Sequence, residues 1–169
     1  FANNAFMNNG GLPIGLPINT AGVLDAASTF SGNVDNSVEI FQSILANGDD
    51  PQTLPAFADG TPYYISGKLD IDNDLEIKPG ATFEVNQDVR IEVAGSDGSL
   101  EAVGTADSVI TFTARDQSDG WLGIVFFTNT AANKLIYNDI SYAGRGSFGS
   151  GVDPANVGID FSGKAAIEN

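Results

Sequence analysis

The sequence predicts an all-β chain wound as a right-handed parallel β-helix, a solenoid with three short strands per coil and coils of roughly 20–30 residues. Three observations predict it. Short alternating apolar and polar runs are separated by polar turns; the same pattern recurs, in the same order, one coil later; and the composition favours turns over helices. Of 169 residues 20 are Gly, and Asn is frequent, the two residue types that most readily take left-handed backbone at turns. No ten-residue stretch keeps the i, i+3, i+4, i+7 apolar spacing of an amphipathic helix.

The elements are plainest from Tyr63 onward. Leu69-Asp70-Ile71 alternates and turns at Asp72-Asn73-Asp74; Leu75-Glu76-Ile77 alternates and turns at Lys78-Pro79-Gly80. Phe83-Glu84-Val85 turns at Asn86-Gln87-Asp88, and Val89 to Val93 closes on Gly95-Ser96-Asp97-Gly98. Strands follow at Leu100–Val103, Val109–Thr113, Trp121–Phe127, Leu135–Tyr137, Ile140–Tyr142, Val157–Phe161 and Ala165–Ile167. The turns are too short for crossover helices, and the order of strands decides the architecture. A shift of 20 lays Leu69-Asp70-Ile71 over Val89-Arg90-Ile91; a shift of 25 lays Leu75-Glu76-Ile77 over Leu100-Glu101-Ala102; a shift of 27 lays Phe83-Glu84-Val85 over Ile110-Thr111-Phe112. Hairpins would reverse that order, whereas a solenoid keeps it. Residues 1–169 read as one β-helix segment: 1–60 less regular with a loop excursion at 47–62, 63–169 regular.

Charge narrows the partners. There are 22 acidic and 7 basic residues, a formal net charge of −15; residues 1–60 hold six acids and no Lys or Arg. Nucleic acid is disfavoured, since phosphate binding is driven by Lys and Arg, and an anionic membrane surface would repel the chain. No apolar run approaches the ~20 residues of a membrane span. The chain has no Cys and no His, which removes disulfides, thiol chemistry and the commonest general base.

The runs Leu75-Glu76-Ile77-Lys78-Pro79-Gly80-Ala81-Thr82-Phe83, Gly98-Ser99-Leu100-Glu101-Ala102-Val103-Gly104-Thr105-Ala106 into Ile110-Thr111-Phe112-Thr113, and Gly120-Trp121-Leu122-Gly123-Ile124 resemble bacterial right-handed β-helix surface proteins of the pectate-lyase-like superfamily. Ser108 stands where such sequences often carry Pro. The resemblance covers residues 62–144 best and implies the fold and an extracellular or cell-surface setting. That superfamily spans lyases, hydrolases, adhesins and passive fibres, so the resemblance implies little about activity.

Candidate sites follow from residue chemistry. Asp70, Asp72, Asp74 and Glu92 are candidate ligands for calcium at a coil corner, the only cofactor indicated, although the twelfth position from Asp70 is Ala81 rather than the Glu of an EF-hand. The competing reading is a solvated turn. Arg90, Arg145 and Phe148 are candidate binding residues for glycans, the last two in the Gly/Ser-rich loop 144–151; that loop lacks the spacing and Lys of a phosphate-binding loop. Trp121 reads as core rather than as a sugar-stacking platform. Both termini read as interrupted coils with no capping helix, which makes Phe1, Phe6, Ile167 and Asn169 candidate assembly residues for self-association or for neighbouring coils end to end. The expected function is an extracellular structural or adhesive scaffold, not an enzyme; the alternative is a polysaccharide-binding or lyase-like β-helix using the Asp70/Asp72/Arg90 region or the 144–151 loop.

Overall fold

The computed structural model describes residues 1–41, 43–147, 154–160 and 163–168. Its first coil holds β1 (Ala5–Met7), β2 (Ile14–Leu16) and a one-turn helix α1 (Ile18–Ala21); the second holds β3 (Thr29–Ser31), β4 (Val38–Ile40), β5 (Ser43–Leu45) and β6 (Gln52–Leu54). Three strands make each later coil: β7 (Tyr63–Ile65), β8 (Leu69–Ile71) and β9 (Asp74–Ile77); β10 (Thr82–Val85), β11 (Arg90–Val93) and β12 (Ser99–Val103); β13 (Ile110–Ala114), β14 (Gly123–Phe126) and β15 (Lys134–Ile136); β16 (Asn138–Ile140), β17 (Val157–Ile159) and β18 (Ala166–Glu168).

Strands do not pair with their sequence neighbours. They stack one coil above another into three sheets, β2-β4-β7-β10-β13-β16, β5-β8-β11-β14-β17 and β6-β9-β12-β15-β18, with β1 and β3 as a separate pair. Among the described residues every ladder is parallel. The chain is a parallel β-helix. Alternation then does the sorting: strands such as β8, β10 and β11 bury every second residue and leave the intervening ones half-buried outside.

An inward-facing aromatic stack runs along the β1–β3 pair and the first sheet. Phe6 on Phe30, Tyr63 on Phe83 and Phe83 on Phe112 are stacked at 5.2, 5.1 and 4.9 Å between ring centroids. Phe57 joins the two parts, edge-on to Phe30 at 4.9 Å and tilted against Tyr63 at 5.0 Å. These spacings match the ~4.8 Å between neighbouring strands, so identical positions in successive coils bring rings into contact without adjustment. Each such buried ring contributes about 1.5–3 kcal/mol from the water it leaves. A second tie is polar. Asn133, fully buried, accepts from Leu100 N at 3.0 Å and donates to Thr128 Oγ1 at 2.8 Å and Lys164 O at 2.9 Å, joining three coils through one amide.

The structure corrects several expectations. Only the shift of 25 stands, with Leu75 under Leu100. Leu69 lies under Ile91, a shift of 22, and Phe83 under Phe112, a shift of 29. Both errors are of two residues, the one slip that alternation cannot reveal because it keeps every side chain on its own face. Within residues 1–60, β2, β4, β5 and β6 join the same ladders as the rest while β1 and β3 pair apart, and 47–62 includes a strand, β6, paired with β9. Pro51 and Pro55 bracket that strand and give it the look of a loop. The strand expected at Ile140–Tyr142 runs from 138 to 140, and Tyr142 takes a left-handed φ of 57° at the corner. The first coil also carries a helix. Ile18 and Ala21 are fully buried against β5 and β6, and Ile18 N and Gly22 N donate to Ser43 Oγ and Gln52 Oε1, both at 3.0 Å. One turn between Pro17 and Gly22 is too short to leave a periodic signal.

Candidate functional site

The outer column of the second sheet holds two of the sequence-predicted site residues, Asp70 and Glu92, with Arg90 beside them. Register places Ile44, Asp70, Glu92, Val125 and Gly158 one above another. Asp70 and Glu92 are therefore direct neighbours, like charge over like, a pairing that costs stability unless it is neutralised. Lys68, just before β8, reaches both, at 2.7 Å to Asp70 and 3.2 Å to Glu92. Arg90, two residues before Glu92 on the same face, meets it at 2.6 Å. Arg90 thus pairs with Glu92 of its own strand, and the register sets Glu92 over Asp70 where the shift of 20 had set Arg90. Burial alone would lower the Lys68 ammonium, but its contacts with the two carboxylates outweigh that and hold it above the ordinary lysine range.

Asp72 lies at the turn just beyond. Burial first, then the charges of Asp70 and Glu92, push its carboxyl above the usual range. Asp74 is elsewhere: it opens β9 in the third sheet, and its carboxylate accepts from Ser99 Oγ at 2.6 Å. Asp70 and Glu92 come together, then, with two cations between and beside them, while Asp74 does not join them. Among the described residues no group of three or more acidic side chains is arranged to hold a metal ion.

A second cluster left no mark in the sequence. Arg115, just past β13, spreads its guanidinium over the Tyr64 ring, 4.5 Å from the centroid. From there it ion-pairs with Asp35 and Glu84 and donates to Ser37 Oγ at 2.7 Å. Asp35 is further held by the N–H and hydroxyl of Ser37, at 2.9 and 2.7 Å. Burial raises the Asp35 carboxyl, yet these hydrogen bonds and the Arg115 charge outweigh it and leave it below the ordinary range. Partners 78 and 80 residues away in the chain meet here because four coils stack.

The third sheet repeats the theme. Glu76 and Glu101 are register neighbours, as the shift of 25 indicated, but Lys78 pairs with Glu76 and Lys134 with Glu101, the latter at 2.7 Å. Comparison of the chain with protein-family models, curated proteins and solved structures finds no match. What the site can do is therefore read from its own geometry.

Arg145 sits at another corner, 3.6 Å from Asp88. With its amide oxygen facing the guanidinium, Gln87 accepts from Arg145 Nη2 at 2.8 Å and donates to Asp119 Oδ2 at 3.1 Å. Tyr142 is close by in the chain and half-exposed, its carbonyl accepting from Trp121 N at 3.0 Å. Trp121 itself is fully buried and donates from Nε1 to Ser141 O at 2.8 Å, a core residue with its polar atom satisfied. Phe148 and Asn169 lie outside the described residues. Of the other assembly candidates, Phe1 and Ile167 are exposed, Ile167 on β18 beside Leu135, and Phe6 is half-buried on Phe30. Ile167 lines a groove with Leu135, Asn138, Ile140 and Glu168.

Proposed function

We propose that the chain is an extracellular structural or adhesive scaffold module, a stiff acidic rod acting through its lateral surface and stacking end to end or against neighbouring coils. One observation supports this above the others: the charged outer columns are tied up internally. Asp70 and Glu92 are engaged by Lys68 and Arg90, Glu76 and Glu101 by two lysines, and Asp35 and Glu84 by Arg115. Those that cross from coil to coil, Lys68 with Glu92, Lys134 with Glu101 and Arg115 with Asp35 and Glu84, hold coils in register, where a catalytic acid or base would be presented to a substrate. The apolar groove bearing Leu135, Ile140 and Ile167 supports stacking as the mode of assembly. The test is sedimentation velocity and electron microscopy across a concentration series. Rods or oligomers that shorten on Ile167→Asp support the reading; a monodisperse monomer at every concentration sinks the stacking half of it.

The glycan-binding reading has its support at the Gln87–Asp119–Arg145 corner, where planar polar groups lie near half-exposed Tyr142, a combination suited to sugar hydroxyls and a sugar face. Calcium belongs to this second reading, at Asp70 and Glu92, where it would displace Lys68 and Arg90. A glycan array with and without millimolar calcium, and an acidic-polysaccharide assay watching for unsaturated uronides, separate scaffold from binder and lyase.

A further inference from the structure

Two Asn-Gly pairs occur in the sequence, Asn9-Gly10 and Asn47-Gly48, and they sit in different surroundings. Asn47-Gly48 is the tip of a tight turn between β5 and β6, closed by Asp49 N donating to Ala46 O at 3.0 Å. Gly48 has a φ of 108°, and a side-chain carbon built on it would meet nothing within 4 Å, so the tip of the turn stands clear of the rest of the chain. The side chain of Asn47 reaches two coils along: Nδ2 donates to Asp97 Oδ2 and lies 3.4 Å from Ser96 Oγ, partners 49 and 50 residues later in the chain. Asn9, by contrast, donates from Nδ2 to Asn33 Oδ1 at 2.7 Å, a neutral amide.

We infer that Asn47 is a self-modification site, a deamidating residue whose product breaks the tie between the corner at 46–49 and the corner at 95–98. Asn is a chemically labile residue, and Gly after it removes the side chain that would hinder ring closure. The Gly48 nitrogen attacks Asn47 Cγ; the new N–C bond forms, the Cγ–Nδ2 bond breaks, and Nδ2 leaves as ammonia with the proton lost from Gly48. Water then opens the succinimide at either carbonyl, giving Asp or isoaspartate, and no other reactant is consumed. At position 47 the product places a carboxylate against that of Asp97, turning an attraction into repulsion between like charges. Ser96 already directs its hydroxyl to the same Asp97 oxygen, at 3.1 Å, so it does not supply the missing donor. The same reaction at Asn9 would leave a carboxylate facing the uncharged amide oxygen of Asn33, a weaker repulsion than that between two carboxylates.

The experiment ages the intact folded chain in mildly alkaline buffer and maps peptides by mass, with isoaspartyl methyltransferase labelling. A gain of one mass unit with label at residue 47, absent in Asn47→Gln, is expected. Asn47→Asp should lower the thermal midpoint by about 1–4 °C, and adding Asp97→Asn should restore it; Asn9→Asp should lower it by less. Residue 47 staying intact in the folded chain while it deamidates in denaturant would overturn the inference, as would Asn47→Asp melting with the parent.

Discussion

Tyr63 and Tyr64 are consecutive residues on one strand and live by different physics. Tyr63 points inward, is fully buried between Phe57 and Phe83, and donates its hydroxyl to Pro55 O at 2.9 Å; burial alone pushes its phenol far up. Tyr64 points outward under the Arg115 guanidinium, in the same column as Glu39 and Glu84. The inner column holds coils together by area, with little sense of register, since a ring stacks on any ring above it. The outer column contributes less energy but names its partners, because an ion pair made by Arg115 with Asp35 and Glu84 is satisfied in one register only. Cohesion and registration are thus separated onto two faces of the same sheet.

Breaking the inner face should do the most damage. Phe83→Ala leaves a cavity between Tyr63 and Phe112, both of which stack on it, and should cost about 3–5 kcal/mol in denaturant unfolding. A loss below about 1 kcal/mol would mean that the stack is not cohesive. Tyr63→Phe keeps the ring and removes only the donor to Pro55 O. Its expected cost is about 1–2 kcal/mol, measured in the same way, and the difference between the two variants apportions the column between packing and its single polar tie.

The outer face is tested by Arg115→Met, which keeps apolar cover on Tyr64 and removes the charge. These pairs are partly exposed, so the expected loss is about 0.5–1.5 kcal/mol at neutral pH. The loss should depend on pH. Asp35 titrates below its ordinary value in the folded chain, so the stability it contributes is complete above about pH 4 and is lost as pH falls through the lowered folded value. Parent and variant should therefore converge on acidification, in melts followed by circular dichroism; a gap that stays constant across that window would remove Asp35 from the account.

The two faces were not equally legible in the sequence. Alternation at Leu69-Asp70-Ile71 or Phe83-Glu84-Val85 tells which side chains go inward, because a period of two is the signature of a strand with one buried face. The winding was legible because the pattern recurs in the same order. Registration was not. The slips at Leu69 and Phe83 are even-numbered, invisible to apolar patterning, and they hid both the Phe83–Phe112 stack and the identity of the ion pairs. Had Glu92 been placed over Asp70, the need for Lys68 would have followed. Arg115 was out of reach for a further reason: two of its partners, Ser37 and Asp35, sit 78 and 80 residues away, a separation that accumulates the uncertainty of every coil length between. Gln52-Thr53-Leu54 was hidden by flanking prolines, and α1 by its single turn.

The smallest expected effect concerns an outer residue that works against its neighbours. Asp72 adds a third carboxylate beside Asp70 and Glu92, and its carboxyl is held above the usual range, by burial first and then by those two charges. For an acid raised in the folded state the ionised form is penalised by folding, so the penalty is present above the folded value and absent below the unfolded one, near pH 4. Asp72→Asn removes the charge and leaves Lys68 to Asp70 and Glu92. The variant should be more stable than the parent by a few tenths of a kcal/mol at neutral pH, and the gain should vanish in melts below about pH 4 and shrink in high salt. If Asp72→Asn instead destabilises the chain at neutral pH, Asp72 makes a favourable contact that outweighs the repulsion. The outer column would then be tuned at every position, not merely neutralised at most of them.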